Sequence, residues 1–257
     1  MTFPCIIVAG THSGCGKTTV ASGLMAALKA RGYTVQPFKV GPDFIDPSHH
    51  TAICERSSRN LDPFMMSEEG VRHTFITACQ DADIAIVEGV MGMYDGLEGT
   101  DFSSTAHVAK LLEAPVILVV DVGSMSRSAN ALVKGFQEFD PAVKIAGVIF
   151  NQVGGESHRH MIEASLQTPG LGWIRREQGI QVKSRHLGLN MAHETDRMRL
   201  AGEIVEKYCD IDRIINIAQQ SGDLPKANAA QEIEPDIIIG VAMDGAFCFY
   251  YQDNLDR

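Results

Sequence analysis

The sequence is short of positive charge. It carries 32 Asp and Glu against 22 Lys and Arg, a formal net charge of -10. That balance argues against nucleic acid or an anionic membrane surface as the main partner, because both reward a cationic face. An acidic ligand could still bind, but only in a local cationic pocket. Long apolar runs are missing too: none approaches the roughly 20 residues of a membrane span. The start shows no basic segment with a cleavage site, so no export signal is expected and a cytoplasmic location is. Cys5, Cys15, Cys54, Cys79, Cys209 and Cys248 are scattered with no Cys-x-x-Cys pair. That spread suits reduced thiols better than disulfides or a metal site. His49-His50 and His158-x-His160 are the only histidine clusters, and neither has metal-ligand spacing. No internal repeat is visible. What remains is an ordinary globular composition, 45% hydrophobic and 21% charged over 257 residues. This is enough for one buried core, or one domain with part of a second.

What is present is a phosphate-binding motif. The apolar run Cys5-Ile6-Ile7-Val8-Ala9 leads into Gly10-Thr11-His12-Ser13-Gly14-Cys15-Gly16-Lys17-Thr18-Thr19, and a helical pattern follows. Strand, glycine-rich loop and helix start occur in the order of a nucleotide-binding P-loop. Small residues let successive N–H groups turn inward at phosphate oxygens, and the helix adds its positive dipole end. Lys17 is expected to reach the β- and γ-phosphates, and the Thr18 hydroxyl to hold Mg2+. The usual spacing would place the first glycine at position 11, which is Thr11; Gly10 is one residue early. A glycine-rich turn with a solvated lysine is the competing reading.

Strand and helix patterns alternate beyond the loop. Val20, Leu24 and Leu28 recur at helical spacing, with Gly32 as the stop. Thr34–Val40 reads as a strand. Gly41–Pro47, with two prolines and a glycine, cannot continue it and reads as a functional loop. A helix start at Ser67-Glu68-Glu69 leads to Cys79, and Ile84–Val87 is a buried strand ending on Glu88. Gly89–Gly99 is a second glycine-rich loop. Phe102–Leu112, Ala129–Phe139 and Glu156–Leu166 read as helices; Pro115–Val120 and Lys144–Phe150 read as strands ending at Asp121 and Asn151. Beyond Gly170 the pattern weakens. Thr195–Gln220 reads as helix, 219–236 as a linker, and Ile237–Ala242 as a new strand. The alternation predicts an α/β fold: a P-loop NTPase-like parallel sheet with helices on both faces. Ligands in such sheets bind at the carboxyl ends of the strands. Gly10–Thr18, Lys39–Asp46, Glu88–Asp95, Asp121–Arg127 and Asn151 are therefore expected along one edge.

The acids at that edge carry the chemistry. Glu88 at a buried strand tip needs a cation or a donor to be tolerable, and it is the candidate magnesium acid; a capping acid for the next loop is the alternative. Asp43 and Asp46 lie on a proline-fixed loop, where one could complete the metal shell and the other orient a substrate group; as two solvated turn acids they would do neither. Asp95 in Tyr94-Asp95-Gly96 is, alone, an ordinary turn residue. Asn151 stands where a base is read. The Asn151-Gln152-Val153-Gly154 run lacks the acid that reads guanine, which favours ATP over GTP.

Taken together, Gly10–Thr18, Lys39–Pro47 (Lys-Val-Gly-Pro-Asp-Phe-Ile-Asp-Pro), Glu88–Gly96, Arg185–Leu189 and Ala246–Tyr251 closely resemble the cobyrinic acid a,c-diamide synthase family. The nickel-sirohydrochlorin a,c-diamide synthases fit nearly as well. The match runs in order along almost the whole chain. The nucleotide-binding part is also similar to dethiobiotin synthetase, which shares the shifted P-loop. The resemblance implies that ATP phosphorylates a carboxylate and that ammonia displaces the phosphate, on the a and c acetates of a tetrapyrrole-derived ring. It implies that Lys17 and Thr18 serve ATP and Mg2+, that Asp43 and Glu88 complete the metal site, and that Asp46 and Asp95 position the carboxylate or its acyl phosphate. Lys39, Arg175, Arg176, Lys183 and Arg185 are the candidates for the cationic pocket.

Family members continue into a glutamine amidotransferase domain that supplies the ammonia. The expected organisation is accordingly a synthetase domain over 1–218, a linker over 219–236 and the start of a truncated amidotransferase domain over 237–257. Synthetase activity is then expected with ammonium salt and not with glutamine. A homodimer is among the expected partners; nucleic acid and membrane are not. The rival function is a partition-type regulatory ATPase, which would place a second lysine where this sequence has His12.

Overall fold

Strand β1, Cys5–Gly10, is buried along its whole length and shows how the core is built. Cys5, Ile7 and Ala9 face one apolar cluster, and Ile6 and Val8 face another. Period-two alternation with apolar residues at every position is the signature of a strand covered on both faces. Each fully buried Val, Ile or Leu contributes about 1.5–3 kcal/mol.

The computed structural model describes residues 2–176, 191–224, 237–244 and 247–256. Among these, β1 is joined by β2 Val35–Val40, β3 Arg59–Leu61, β4 Ile84–Glu88, β5 Val116–Asp121, β6 Ile145–Val153 and β7 Gly170–Arg175. All neighbours pair in parallel, in the order β3-β2-β4-β1-β5-β6-β7. The helices are α1 Lys17–Ala30, α2 Ile45–Cys54, α3 Pro63–Cys79, α4 Thr105–Leu111, α5 Ser128–Phe139, α6 Glu156–Glu163, α7 Met191–Tyr208, α8 Ile211–Ala218 and the single turn α9 Gln252–Leu255. Phe75, Val108, Val133 and Ile162 bring α3 to α6 onto one face; Leu24, Leu28, Val205 and Ile214 bring α1, α7 and α8 onto the other. The carboxyl ends of β1, β2, β4, β5 and β6 thus share one edge, as the alternation predicts.

Several elements differ from the sequence expectation. The loop read over Gly41–Pro47 is half helix: α2 begins at Ile45, with Asp43 Oδ1 accepting from Ile45 N at 2.8 Å. Pro47 sits in the first turn, where its missing N–H has no intrahelical partner to lose. Helix α3 starts at Pro63, capped by Asp62, and the expected start at Ser67 falls on a break inside it where φ is 64°. Helix α4 starts later than Phe102, with Ser104 accepting from His107 N. Strands β3 and β7 were not expected. The strand expected over Ile237–Ala242 does not form; Ile238 is fully exposed.

Part of the expected linker is packed. Ser221 Oγ accepts from Cys5 N and donates to Cys5 O, and Thr2 pairs antiparallel with Asp223. Lys183, the Arg185–Leu189 motif, Ala246 and the rest of the linker lie outside the described residues. No described helix is long and apolar enough to cross a membrane.

Candidate active site

The early glycine has a steric reason. The P-loop folds back over the end of β1, so a Cβ on Gly10 would lie 2.4 Å from Cys15 Sγ and 2.7 Å from Lys17 Cγ. Real Cβ atoms do not come this close to such neighbours, so any larger residue at position 10 would force Cys15 and Lys17 to shift. Gly16, with φ at 104°, hands the loop to α1 in a backbone region that side chains rarely adopt. Thr11, His12, Ser13 and Gly14 form the outward crown, with Thr11 Oγ1 and His12 Nδ1 2.9 Å apart. Cys15 is fully buried beneath it. Lys17 curls over the loop and donates to His12 O at 3.1 Å; burial pulls its pKa down. Thr19 is half-buried on the first turn of α1.

Asn151, at the end of the β6 core, is turned to the loop. Its Nδ2 donates to Cys15 O at 3.0 Å, and its Oδ1 accepts from Gln152 N at 2.9 Å. The side chain thus braces the loop backbone from β6, reaching across the end of β5.

Below the loop lies a buried charge cluster. Thr18 Oγ1 donates to Glu88 Oε1 at 2.6 Å. Lys39, on β2 beside β4, donates to Glu88 Oε1 at 2.8 Å, to Asp46 Oδ2 at 2.6 Å and to Gly89 O at 3.2 Å. His50 Nε2 lies 2.7 Å from Glu88 Oε2. Glu88 and His50 are wholly inaccessible, and Lys39 nearly so. Burial alone would push the Glu88 carboxyl up. The Lys39 ammonium and the His50 hydrogen bond more than reverse that and hold it well below the usual range. Asp46 goes the other way: its own burial and the nearby Glu88 charge raise it, although Lys39 touches it. One ammonium shared by two carboxylates leaves the deeper one ionised and the shallower one easier to protonate. Burial pulls the Lys39 ammonium down, but the two carboxylates outweigh it and hold the group protonated.

The remaining acids have local duties. Asp43 spends Oδ1 on the start of α2, and its charge helps raise Asp46. Asp95 is exposed; its Oδ2 accepts from Gly92 N at 2.8 Å and shapes the β4–α4 loop, whose Met93 N donates to Gly10 O at 2.8 Å. The structure therefore brings Lys17, Thr18, Lys39, Asp46 and Glu88 together. It sets Asp95 in the adjoining loop and Asp43 at the helix start. Of the pocket cations, Lys39 is committed inside the cluster. Arg175 is exposed at the end of β7, 3.6 Å from Glu156, and Arg176 is exposed beside it. Sequence reasoning missed His50. The signal was its spacing: Asp46 and His50 are four apart and share a face once α2 is a helix.

Among the described residues no cluster of three or more His, Cys, Asp or Glu is placed to hold a metal. The site offers hard oxygens from Thr18 and Glu88, and the phosphate oxygens of a bound nucleotide would add to them. That donor set fits Mg2+, which binds through few protein groups plus phosphates and waters.

The family described as "CobQ/CobB/MinD/ParA nucleotide binding domain" matches residues 6–189. A cobyrinate a,c-diamide synthase from Methanosarcina acetivorans is 44% identical over 99% of this chain and 56% of its own length. Proteins of the same name from Priestia megaterium and Archaeoglobus fulgidus are 43% and 42% identical, over 98% and 100% of this chain and 57% and 58% of theirs. The chain thus spans a little over half the length of these relatives. Among solved structures, a cobyrinic acid a,c-diamide synthase from Mycobacterium smegmatis aligns at a TM-score of 0.46 and 16% identity, over 69% of this chain and 88% of that one. By its family match and by 43–44% identity to curated relatives along nearly all of its own length, this chain belongs to the cobyrinate a,c-diamide synthase family.

Proposed function

We propose that this chain uses ATP and Mg2+ to amidate the a and c acetate carboxylates of a tetrapyrrole-derived ring, cobyrinate, through an acyl phosphate. The observation that carries the reading is the position of Lys39. It joins Glu88, which touches the P-loop threonine, to Asp46 on the first turn of α2. A γ-phosphate held by Lys17 and the loop amides would then lie beside a place where a carboxylate could be held. Named relatives at 41–44% identity support the choice of ring.

In the first step a carboxylate oxygen attacks the γ-phosphorus, and the bond from that phosphorus to the β–γ bridging oxygen breaks to release ADP. In the second, the nitrogen of ammonia adds to the acyl carbon, phosphate leaves, and the nitrogen loses a proton to give the amide. Such chemistry asks for positioning and charge neutralisation more than for covalent help. When bound, Mg2+ supplies Lewis-acid neutralisation of the phosphate oxygens. Lys17 would neutralise the transferring group, Thr18, Glu88 and Asp43 would hold the metal, and Asp46, with Asp95 in the adjoining loop, would orient the incoming carboxylate. Asn151 keeps the loop in shape beside the nucleotide.

The test is amidation read by mass spectrometry with ammonium as donor, comparing cobyrinate with nickel-sirohydrochlorin. Cobyrinate should accelerate ADP release and gain two amides. ATP turnover indifferent to any carboxylate-rich tetrapyrrole would instead support a regulatory ATPase. Asp46→Asn should abolish amide formation while leaving ATP affinity within a few-fold; a large loss of ATP binding would reassign Asp46 to the nucleotide.

A further inference from the structure

The segment Phe247–Asp256 returns from the far end of the chain to the loop between β2 and α2. The Tyr251 ring stacks on Phe44, with centroids 4.3 Å apart and planes at 28°. The Tyr251 hydroxyl donates to Pro42 O at 3.1 Å. Phe249 meets the same Phe44 edge-on at 5.7 Å. Two charges anchor the segment behind these contacts: Asp253 accepts from Arg59 at 3.0 Å and from Thr74 at 2.9 Å, and Asp256 also accepts from Arg59. Tyr251 therefore grips the backbone before Asp43 and the side chain after it. Asp43 in turn starts α2, and α2 carries Asp46 and His50 into the buried cluster. None of these contacts touches the P-loop.

We infer that Tyr251, anchored through Asp253 on Arg59 and Thr74, is a positioning residue for the carboxylate substrate: it fixes the loop from Pro42 to Asp46 and so sets how the ring substrate, not the nucleotide, is held. This rests on the amidation reading above. Three features favour it over a general clamp. The grip falls on both residues flanking Asp43. The contact is aromatic and directional, so it fixes an orientation and not merely a distance. Its counterpart lies more than two hundred residues away in sequence, with a separation of 209 between Tyr251 and Pro42. The loop is thus held from outside its own strand and helix.

The experiment uses the full chain and two variants, Tyr251→Leu and Tyr251→Phe. Tyr251→Leu should raise the KM for cobyrinate roughly two- to tenfold, the range an aromatic pair commands, and leave the KM for ATP unchanged. Tyr251→Phe keeps the stack, loses the bond to Pro42, and should recover most of the wild-type value. In parallel, hydrogen exchange without substrate reads the Ile45 amide, which is held by Asp43. It should exchange faster in Tyr251→Leu, with the amides of β1 unchanged. Asp253→Asn, which leaves the loop contacts in place, should shift both readouts in the same direction by less. If Ile45 exchange and the cobyrinate KM both stay at wild-type values in Tyr251→Leu, or if the KM for ATP rises equally, the inference is overturned. Absence of amidation by the wild type would count against the functional reading alone, because the exchange arm still decides whether Tyr251 holds the loop.

Discussion

Replacing Lys39 by Met tests the buried cluster most directly. Methionine keeps much of the length and apolar stem, so the loss is of charge and donors more than of volume. The ammonium lies 2.8 Å from Glu88 Oε1 and 2.6 Å from Asp46 Oδ2. At an effective dielectric of about 20, one such contact is about 6 kcal/mol of attraction. Part of that offsets the cost of burying the ammonium, and breaking a buried pair from one side typically costs about 3–5 kcal/mol. For a domain of this size that is a fall in Tm of roughly 6–20 °C. Thermal and urea unfolding of Lys39→Met should show it. Adding Glu88→Gln removes the stranded charge and should return most of the loss, so the two substitutions are expected to be strongly non-additive. A single variant within about 1 kcal/mol of wild type, or a double variant no better than the single, would show that Glu88 is not held by Lys39.

Further outcomes follow from the same geometry. Gly10→Ala should fold yet lose ATP affinity by about tenfold or more, since relieving a 2.4 Å clash with Cys15 Sγ costs about 1–3 kcal/mol; calorimetric titration checks this. Asn151→Ala should weaken ATP and GTP alike if bracing Cys15 O is its main duty, and a loss confined to ATP would show base reading instead. Glu88 is held below its ordinary value of 4.5 in the fold, so its contribution to stability is complete above about pH 4.5 and is lost as pH falls through the lower folded value. Urea midpoints of wild type and Glu88→Gln should converge as the pH is lowered from 6 towards about 3. Burial pushes the Cys54 and Cys209 thiols up to about 12, and Cys248 is exposed. A thiol reagent near pH 8 should therefore modify Cys248 first in the native protein and reach Cys54 and Cys209 only on unfolding.

Much of the fold is legible in the sequence because β1, β2, β4, β5 and β6 are apolar runs between recognisable breaks. Buried parallel strands need little more than that. The failures have separate physical causes. Strand β3 has three residues, one of them Arg59, and exists only because β2 offers it a ladder. Gly170 and Gly172 dilute the apolar signal of β7. The two prolines around α2 read as breakers, though one precedes the helix and the other occupies its first turn. The P-loop was legible from the order of strand, glycine-rich loop and helix, and Glu88 from its place at a buried strand tip. His50 was not, because its meaning depends on α2 being a helix. The grip of Tyr251 on Phe44 has no local signal at all.

The pairing of Thr2 with Asp223, reinforced by Ser221 on Cys5, has a practical consequence. Both residues meet at the amino-terminal edge of the sheet, a full strand length from the phosphate loop. The nucleotide-binding body therefore closes on itself like a ring with its clasp on the side away from the chemistry. A label placed at that clasp would ride on the body without meeting the phosphate loop at the opposite edge.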